Sequence, residues 1–262
     1  FGFSRMMMAI FPMIGLKCFA LEVPCYRYDV TDQGANTNES VLSLDKVNPW
    51  DFGLVASVPV DGQIYAAPLI REISPTKRLV IVCSMSNVVK ALDPSDPLNP
   101  AKGWTLKLKQ NGNPVPAEDT GSGDIQPLIG ICSTPVLDPQ GMLYVVSKAK
   151  ISSAVLMGGL TPSQTSPSYN YTIYKINSSS GQILASNKFA ETSFNPGYRY
   201  RTNTDPYVRG TGDGAITVAV QKNVDGKIIM TNESRVYFNA LRQMNRPGLA
   251  LLNGVEIGRA HV

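Results

Sequence analysis

The chain has 262 residues, 43% of them hydrophobic and 17% charged, with a formal net charge of +4. That balance suits one large or two ordinary globular domains and excludes a disordered chain. Lysine and arginine form no run that would displace counterions from nucleic acid, and no apolar run is long enough for a transmembrane helix.

Residues 1–20 come first: Arg5, then Met6–Met8, an apolar stretch over 9–16, and the small residues Cys18 and Ala20. They resemble a secretory signal cleaved after Ala20, although Lys17 interrupts the apolar region; a translated leader or a buried strand is the alternative. Residues 21–51 read as an N-terminal leader segment whose clearest helical stretch is Ser43–Trp50. From Phe52 onward the pattern changes, because 19 prolines and 22 glycines cut the chain into short apolar pieces. Such punctuation favours an all-β fold.

Phe52–Val60 predicts a strand, Asp61-Gly62 a tight turn, and Gln63–Ile70 the partner strand of a hairpin. Arg78–Met85, Val88–Leu92 and Gly103–Leu108 predict three more strands. The order then returns as Ile129–Leu137, a turn at Asp138–Gly141, Met142–Ala149, Tyr171–Ile176 and Ile183–Phe189. A third round starts at Asn245 and stops near Val255. Pro68, Pro135 and Pro247 mark the start of each round, 67 and then 112 residues apart. The polar stretches Lys109–Gly121, Met157–Ser168 and Ala190–Val236 read as the loops that make the spacing uneven. A recurring four-stranded unit predicts a partial β-propeller of antiparallel blades, two complete and a third begun. A plain β-sandwich explains the strand lengths but not the recurring order.

The cysteines are Cys18, Cys25, Cys83 and Cys132, without a Cys-x-x-Cys pair, and the one histidine is His261. No metal-ligand set is predicted from them. Cys83 and Cys132 lie in apolar runs and read as small buried hydrophobes, with a disulfide to Cys25 left open. Asn38, Asn170, Asn177 and Asn232 begin Asn-x-Ser/Thr sequons, which suits a secreted chain. Glu118, Asp119 and Asp124 read as a solvated loop rather than a calcium site.

Two repeats carry a resemblance. Lys90-Ala91-Leu92-Asp93 followed by Gly103-Trp104 is similar to the blade motif of the pyrroloquinoline-quinone (PQQ) repeat propellers, where Ala-x-Asp precedes a turn and an outer-strand tryptophan. The second unit, Tyr174–Asn177 then Ser180–Ile183, is degenerate, with Asn177 for the aspartate and no tryptophan. Asn36–Glu39, Val60–Leu69, Gly123–Ile125, Gly130–Val136, Tyr144–Lys148 and Phe238–Val255 resemble a secreted, quinoprotein-like subset of that family. The resemblance covers roughly residues 36–255 and implies an incomplete propeller over 52–255, with further blades to follow. Residues 256–262, read back into codons, match a widely used sequencing adapter, so an artefactual tail is expected there and His261 with it.

For the family, the resemblance implies PQQ and calcium as cofactors, together with a vicinal cysteine pair, a stacking tryptophan and an aspartate base. This chain has no vicinal cysteines, and no residue carries over as the base. The candidate ligand site is Asn239, Arg242, Asn245 and Arg246, just before an innermost strand on the channel face. Forked guanidinium and amide groups there suit a polar, anionic or carbohydrate-like ligand, or a protein partner. The alternative is that the two arginines pin neighbouring blades through backbone carbonyls. The expected function is a secreted ligand-binding or interaction module. The other reading is a PQQ- and calcium-dependent dehydrogenase of sugars or alcohols with its catalytic residues in the missing blades.

Overall fold

The computed structural model describes residues 4–8, 22–29, 31, 33–37, 39, 42–43, 45–50, 52–54, 56–96, 99, 102–121, 123–152, 167–193, 207–212, 215–252 and 255–258. In chain order its elements are β1 (Ser4–Met8), β2 (Ala56–Val60), β3 (Leu69–Ser74), β4 (Lys77–Cys83), β5 (Val88–Leu92), β6 (Thr105–Lys107) and β7 (Val115–Pro116). The short helix α1 (Ala117–Thr120) follows, then β8 (Leu128–Ile129), β9 (Val136–Leu137), β10 (Met142–Ser152), β11 (Pro167–Asn177) and β12 (Ile183–Ser193). The last strands are β13 (Tyr207–Arg209), β14 (Ile216–Val224), β15 (Lys227–Tyr237), β16 (Leu249–Leu252) and β17 (Val255–Gly258). The protein is all-β, and its strands pair antiparallel.

Two four-stranded sheets repeat one plan, with strands adjacent in chain order: β3-β4-β5-β6 and β9-β10-β11-β12. Alternation along β4 decides how they stack, since successive side chains leave opposite faces of a strand. Leu79, Ile81 and Cys83 join Val89 and Ala91 against Leu143, Val145, Tyr174 and Ile176 of the second sheet. From the other face of β4, Val80 and Val82 meet Val58 of β2. The far face of the second sheet, with Val146, Tyr171 and Ile173, meets Ala240, Leu241 and Leu249 at the start of the third unit. Each sheet therefore buries both faces, the first between β2 and its successor, the second between its two neighbours.

Specific contacts fix the stacking. The Trp104 indole N–H donates to Ser178 O at 2.9 Å across the sheet boundary. Its ring lies over Gly181, where an added Cβ would come within 2.6 Å of it. Asp93 and Asn177, at matching places in the two units, build the same turn: Ser95 N donates to Asp93 Oδ1 at 3.1 Å, and Ser179 N to Asn177 Oδ1 at 2.9 Å. The proline-marked strand starts also meet. Ala67 N donates to Thr134 Oγ1 at 2.9 Å, and Leu249 N donates to Thr134 O at 2.9 Å.

Several sequence expectations need correction. Residues 45–50 form turns and bends, not a helix; their local backbone bonds, such as Val47 N to Ser43 O at 2.9 Å and Phe52 N to Asn48 O at 3.0 Å, do not join into a helical ladder. Asp61-Gly62 does not close a hairpin, because β2 pairs with β1 and Met85 N donates to Gln63 O at 2.8 Å, holding residues 63–68 out of a ladder. Pro68 has no N–H to contribute to one. Within Ala190–Val236, read as a loop, β13, β14 and β15 form a three-stranded sheet in the order β13-β15-β14. Ile216, Val218 and Val220 alternate with the exposed Thr217, Ala219 and Gln221 there, and the Asp-Gly turn that closes a hairpin is Asp225-Gly226. Strand content in Ile129–Leu137 is confined to its ends, in β8 and β9. The third unit continues as a β16–β17 pair in which Leu251 opposes Glu256. Cys18, Asn38, residues 259–262 and most of the expected signal and of Met157–Ser168 lie outside the described residues.

Candidate functional site

The site grows from the alternation of β10. Tyr144, Val146, Lys148 and Lys150 share the face toward the third unit, opposite Lys175, Ile173, Tyr171 and Tyr169 of β11. Lysine thus faces tyrosine at three rungs, with ammonium-to-ring distances of 5.7 Å (Lys175 and Tyr144), 5.5 Å (Lys148 and Tyr171) and 5.9 Å (Lys150 and Tyr169). Attraction of a cation to the ring face stabilises such pairs, more so when water is excluded.

The middle rung is fully buried, with Lys148 at 0% exposure. Its Nζ donates to Leu241 O at 2.7 Å and Gln243 O at 3.2 Å, both in the turn before β16. Burial is the main cause that holds this ammonium down to about 8; the Cys132 thiol opposes the shift, and the Arg242 charge adds to it. Tyr171 OH donates to Gln243 O at 2.8 Å and accepts from Asn245 N at 3.3 Å. Burial pushes its hydroxyl pKa up. At the next rung, Asp119 Oδ2 accepts from Lys150 Nζ at 2.6 Å and from Tyr169 OH at 2.9 Å. Asp119 is therefore paired across the sheet rather than left to solvent, as the sequence had implied.

The four candidate residues divide by what they touch. Asn239 shapes the turn, its Oδ1 accepting from Leu241 N at 2.9 Å and Arg242 N at 3.1 Å. Arg242 donates through Nη1 to Thr120 O at the end of α1, which is the pinning role left open above. Asn245 Nδ2 donates to Ser133 Oγ at 3.2 Å, beside the second strand start. Arg246 is exposed, near enough to Cys132 to favour its thiolate, and has no hydrogen bond or ion pair among the described residues. Three of the four thus serve the turn, and Arg246 alone offers a guanidinium outward.

Lys148, Tyr171 and Gln243 were not singled out from the sequence. One signal was available: alternation from Tyr144 places Lys148 on an apolar face of a long strand, where an unpaired lysine is rare.

Cys83 and Cys132 are free buried thiols. Burial pushes Cys83 up to about 12, and burial also raises Cys132 against the opposing charges of Arg246 and Lys148. Both match the small-hydrophobe reading and lack the lowered pKa of a nucleophile. Of the sequons, Asn232 is exposed, Asn177 is half-buried in its turn, and Asn170 is 0% exposed with Nδ2 donating to Asn111 O at 2.9 Å.

Among the described residues, no three His, Cys, Asp or Glu side chains gather as a metal site, and no helix is long and apolar enough to cross a membrane. Trp104 is committed to Gly181, and Trp50 lies exposed in the leader. No protein-family model matches the chain, and no curated protein matches it.

Proposed function

We propose that this chain is a secreted, quinoprotein-like β-propeller repeat protein that binds a polar or anionic ligand, or a protein partner, on the face around its strand starts. The observation that carries this reading is the joining of three such starts through Thr134, with Arg246 facing outward beside them. Repeated four-stranded sheets stacked face to face around a common point are what a propeller requires. The inter-sheet contact of Trp104 supports the same resemblance. The exposed sequon at Asn232 supports secretion.

Arg246 supplies a planar fork that suits carboxylate, phosphate or vicinal hydroxyl groups. Lys148 and Arg242 add positive charge behind it, and the nearby Asp119 is shared between Lys150 and Tyr169. The residues described here do not fit a quinone-and-calcium site, because no carboxylate cluster and no uncommitted stacking tryptophan stands beside this face.

The test is titration of the full chain with acidic and neutral oligosaccharides by calorimetry, comparing the native chain with Arg246→Ala. Weakening by tenfold or more in the variant is expected; equal affinities would remove Arg246 from the site. Dye-linked oxidation of sugars or alcohols after addition of PQQ and calcium would replace the binding reading with the dehydrogenase one.

A further inference from the structure

The hairpin of β14 and β15 turns at Asp225 (φ 51°) and Gly226 (φ 79°), the two positive angles of a type I′ turn. Val224 opposes Lys227 next to that two-residue turn, so the pair exchanges both backbone hydrogen bonds. Following the alternation back, Lys222, Val220, Val218 and Ile216 also direct N–H and C=O toward β15. Thr217, Ala219, Gln221 and Asn223 direct theirs away from it.

That outward side is a sheet edge, since β14 is last in the order β13-β15-β14. Among the described residues no strand covers it. Natural sheets guard such edges with proline, bulges or several charges. β14 has no proline, its register with β15 runs without a shift over all nine residues, and its one charge is Lys222.

We propose that a second copy of this chain pairs antiparallel with β14 about a two-fold axis at Val220, extending the two three-stranded sheets into one of six strands. In this register Thr217 lies opposite Asn223 of the second copy, and Ala219 opposite Gln221. Every outward N–H and C=O of those four residues is then used, two hydrogen bonds to each narrow pair. Val220 meets its own copy, Val218 meets Lys222, and Ile216 meets Val224, which is 47% exposed in the single chain. No like charges oppose each other. Moving the axis to Ala219 or Gln221 leaves one narrow pair fewer, and moving it to Lys222 sets two lysines face to face. The strand is therefore self-complementary in one register, as an isologous contact demands.

The test is sedimentation of the full 262-residue chain and two double variants at exposed edge positions, with far-ultraviolet circular dichroism as a folding control. The native chain is expected to dimerise at micromolar concentration. Thr217→Lys with Asn223→Lys sets like charges opposite at two rungs and weakens the dimer by about tenfold or more. Thr217→Lys with Asn223→Glu carries the same lysine against an opposite charge and restores the dimer. A native chain that stays monomeric overturns the proposal. So does an oligomer, closed or open-ended, that is indifferent to both variants.

Discussion

Ala67 N–H donates to Thr134 Oγ1 at 2.9 Å, so one side-chain oxygen joins two proline-marked strand starts. The carbonyl of the same Thr134 takes Leu249 N at 2.9 Å, which brings in the third start. Pro68 and Pro135 follow immediately and cannot donate, so the pairing is carried by the Ala67 amide and by the hydroxyl and carbonyl of Thr134. Thr134→Val keeps shape and volume but removes the acceptor, leaving Ala67 N–H unsatisfied. It should cost about 1–2 kcal/mol in urea unfolding, while Thr134→Ser stays near the native value. Equal losses for valine and serine would show that methyl contacts, not the hydrogen bond, matter there.

Trp104 and Gly181 form the other inter-sheet lock. Gly181 sits at φ +75°, and a methyl there would lie 2.6 Å from the indole ring. Gly181→Ala therefore carries two costs, the left-handed backbone and the clash. Only the first, about 1 kcal/mol, should remain in a Trp104→Ala background. A double-mutant cycle by denaturant unfolding reads the difference as coupling between the two sites. Strictly additive losses would mean that ring and glycine do not touch in solution. Trp104→Phe separately tests the bond to Ser178 O, at about 1 kcal/mol.

What could be read in advance depended on whether a signal was local. Val88–Leu92 matches β5 residue for residue, because an apolar run is bounded by Ser86-Asn87 and Asp93-Pro94. Two Asp-Gly pairs have opposite fates: at Asp225-Gly226 a long strand lies on each side, whereas after Asp61-Gly62 the chain is drawn to Met85 of a different hairpin. Asn177, read as a degenerate aspartate, builds the same turn as Asp93, since either side chain offers an oxygen to the amide two residues on. The candidate site was located by its place before a strand. Its partners were out of reach of any pattern, because Thr120 is 122 residues from Arg242 and Ser133 is 112 from Asn245.

The sequons separate by geometry. A sugar attaches through the amide nitrogen, and Asn170 Nδ2 is buried and donates to Asn111 O at 2.9 Å. Asn232 is exposed on β15, opposite Ala219. Peptide mass mapping of folded chain secreted from eukaryotic cells should find glycan at Asn232 and none at Asn170. Occupancy of Asn170 in folded material would contradict this arrangement of β11.

Lys148 should leave a signature in the pH dependence of stability. Its ammonium titrates near 8 in the folded chain against 10.5 when unfolded. Between those values the unfolded chain holds the extra proton, so stability contributed by this group rises with pH; below about 8 both states are protonated and the contribution is flat. The full rise is on the order of 3 kcal/mol. Cys83, Tyr169 and Tyr171 work the other way above about 9, because their folded pKa values are raised and their protons are lost first on unfolding. The raw curve therefore mixes opposing slopes, and the informative quantity is the difference between the native chain and Lys148→Met. Methionine orphans Leu241 O and leaves Gln243 O with Tyr171 OH alone at every pH, which shifts the variant's curve without tilting it. Urea midpoints from pH 7 to 10.5 should show the native chain gaining on the variant only above about 8. A constant offset across that range would mean that the buried amine remains an ammonium throughout, whereas a gain that already runs at full slope from pH 7 would mean that it is neutral there.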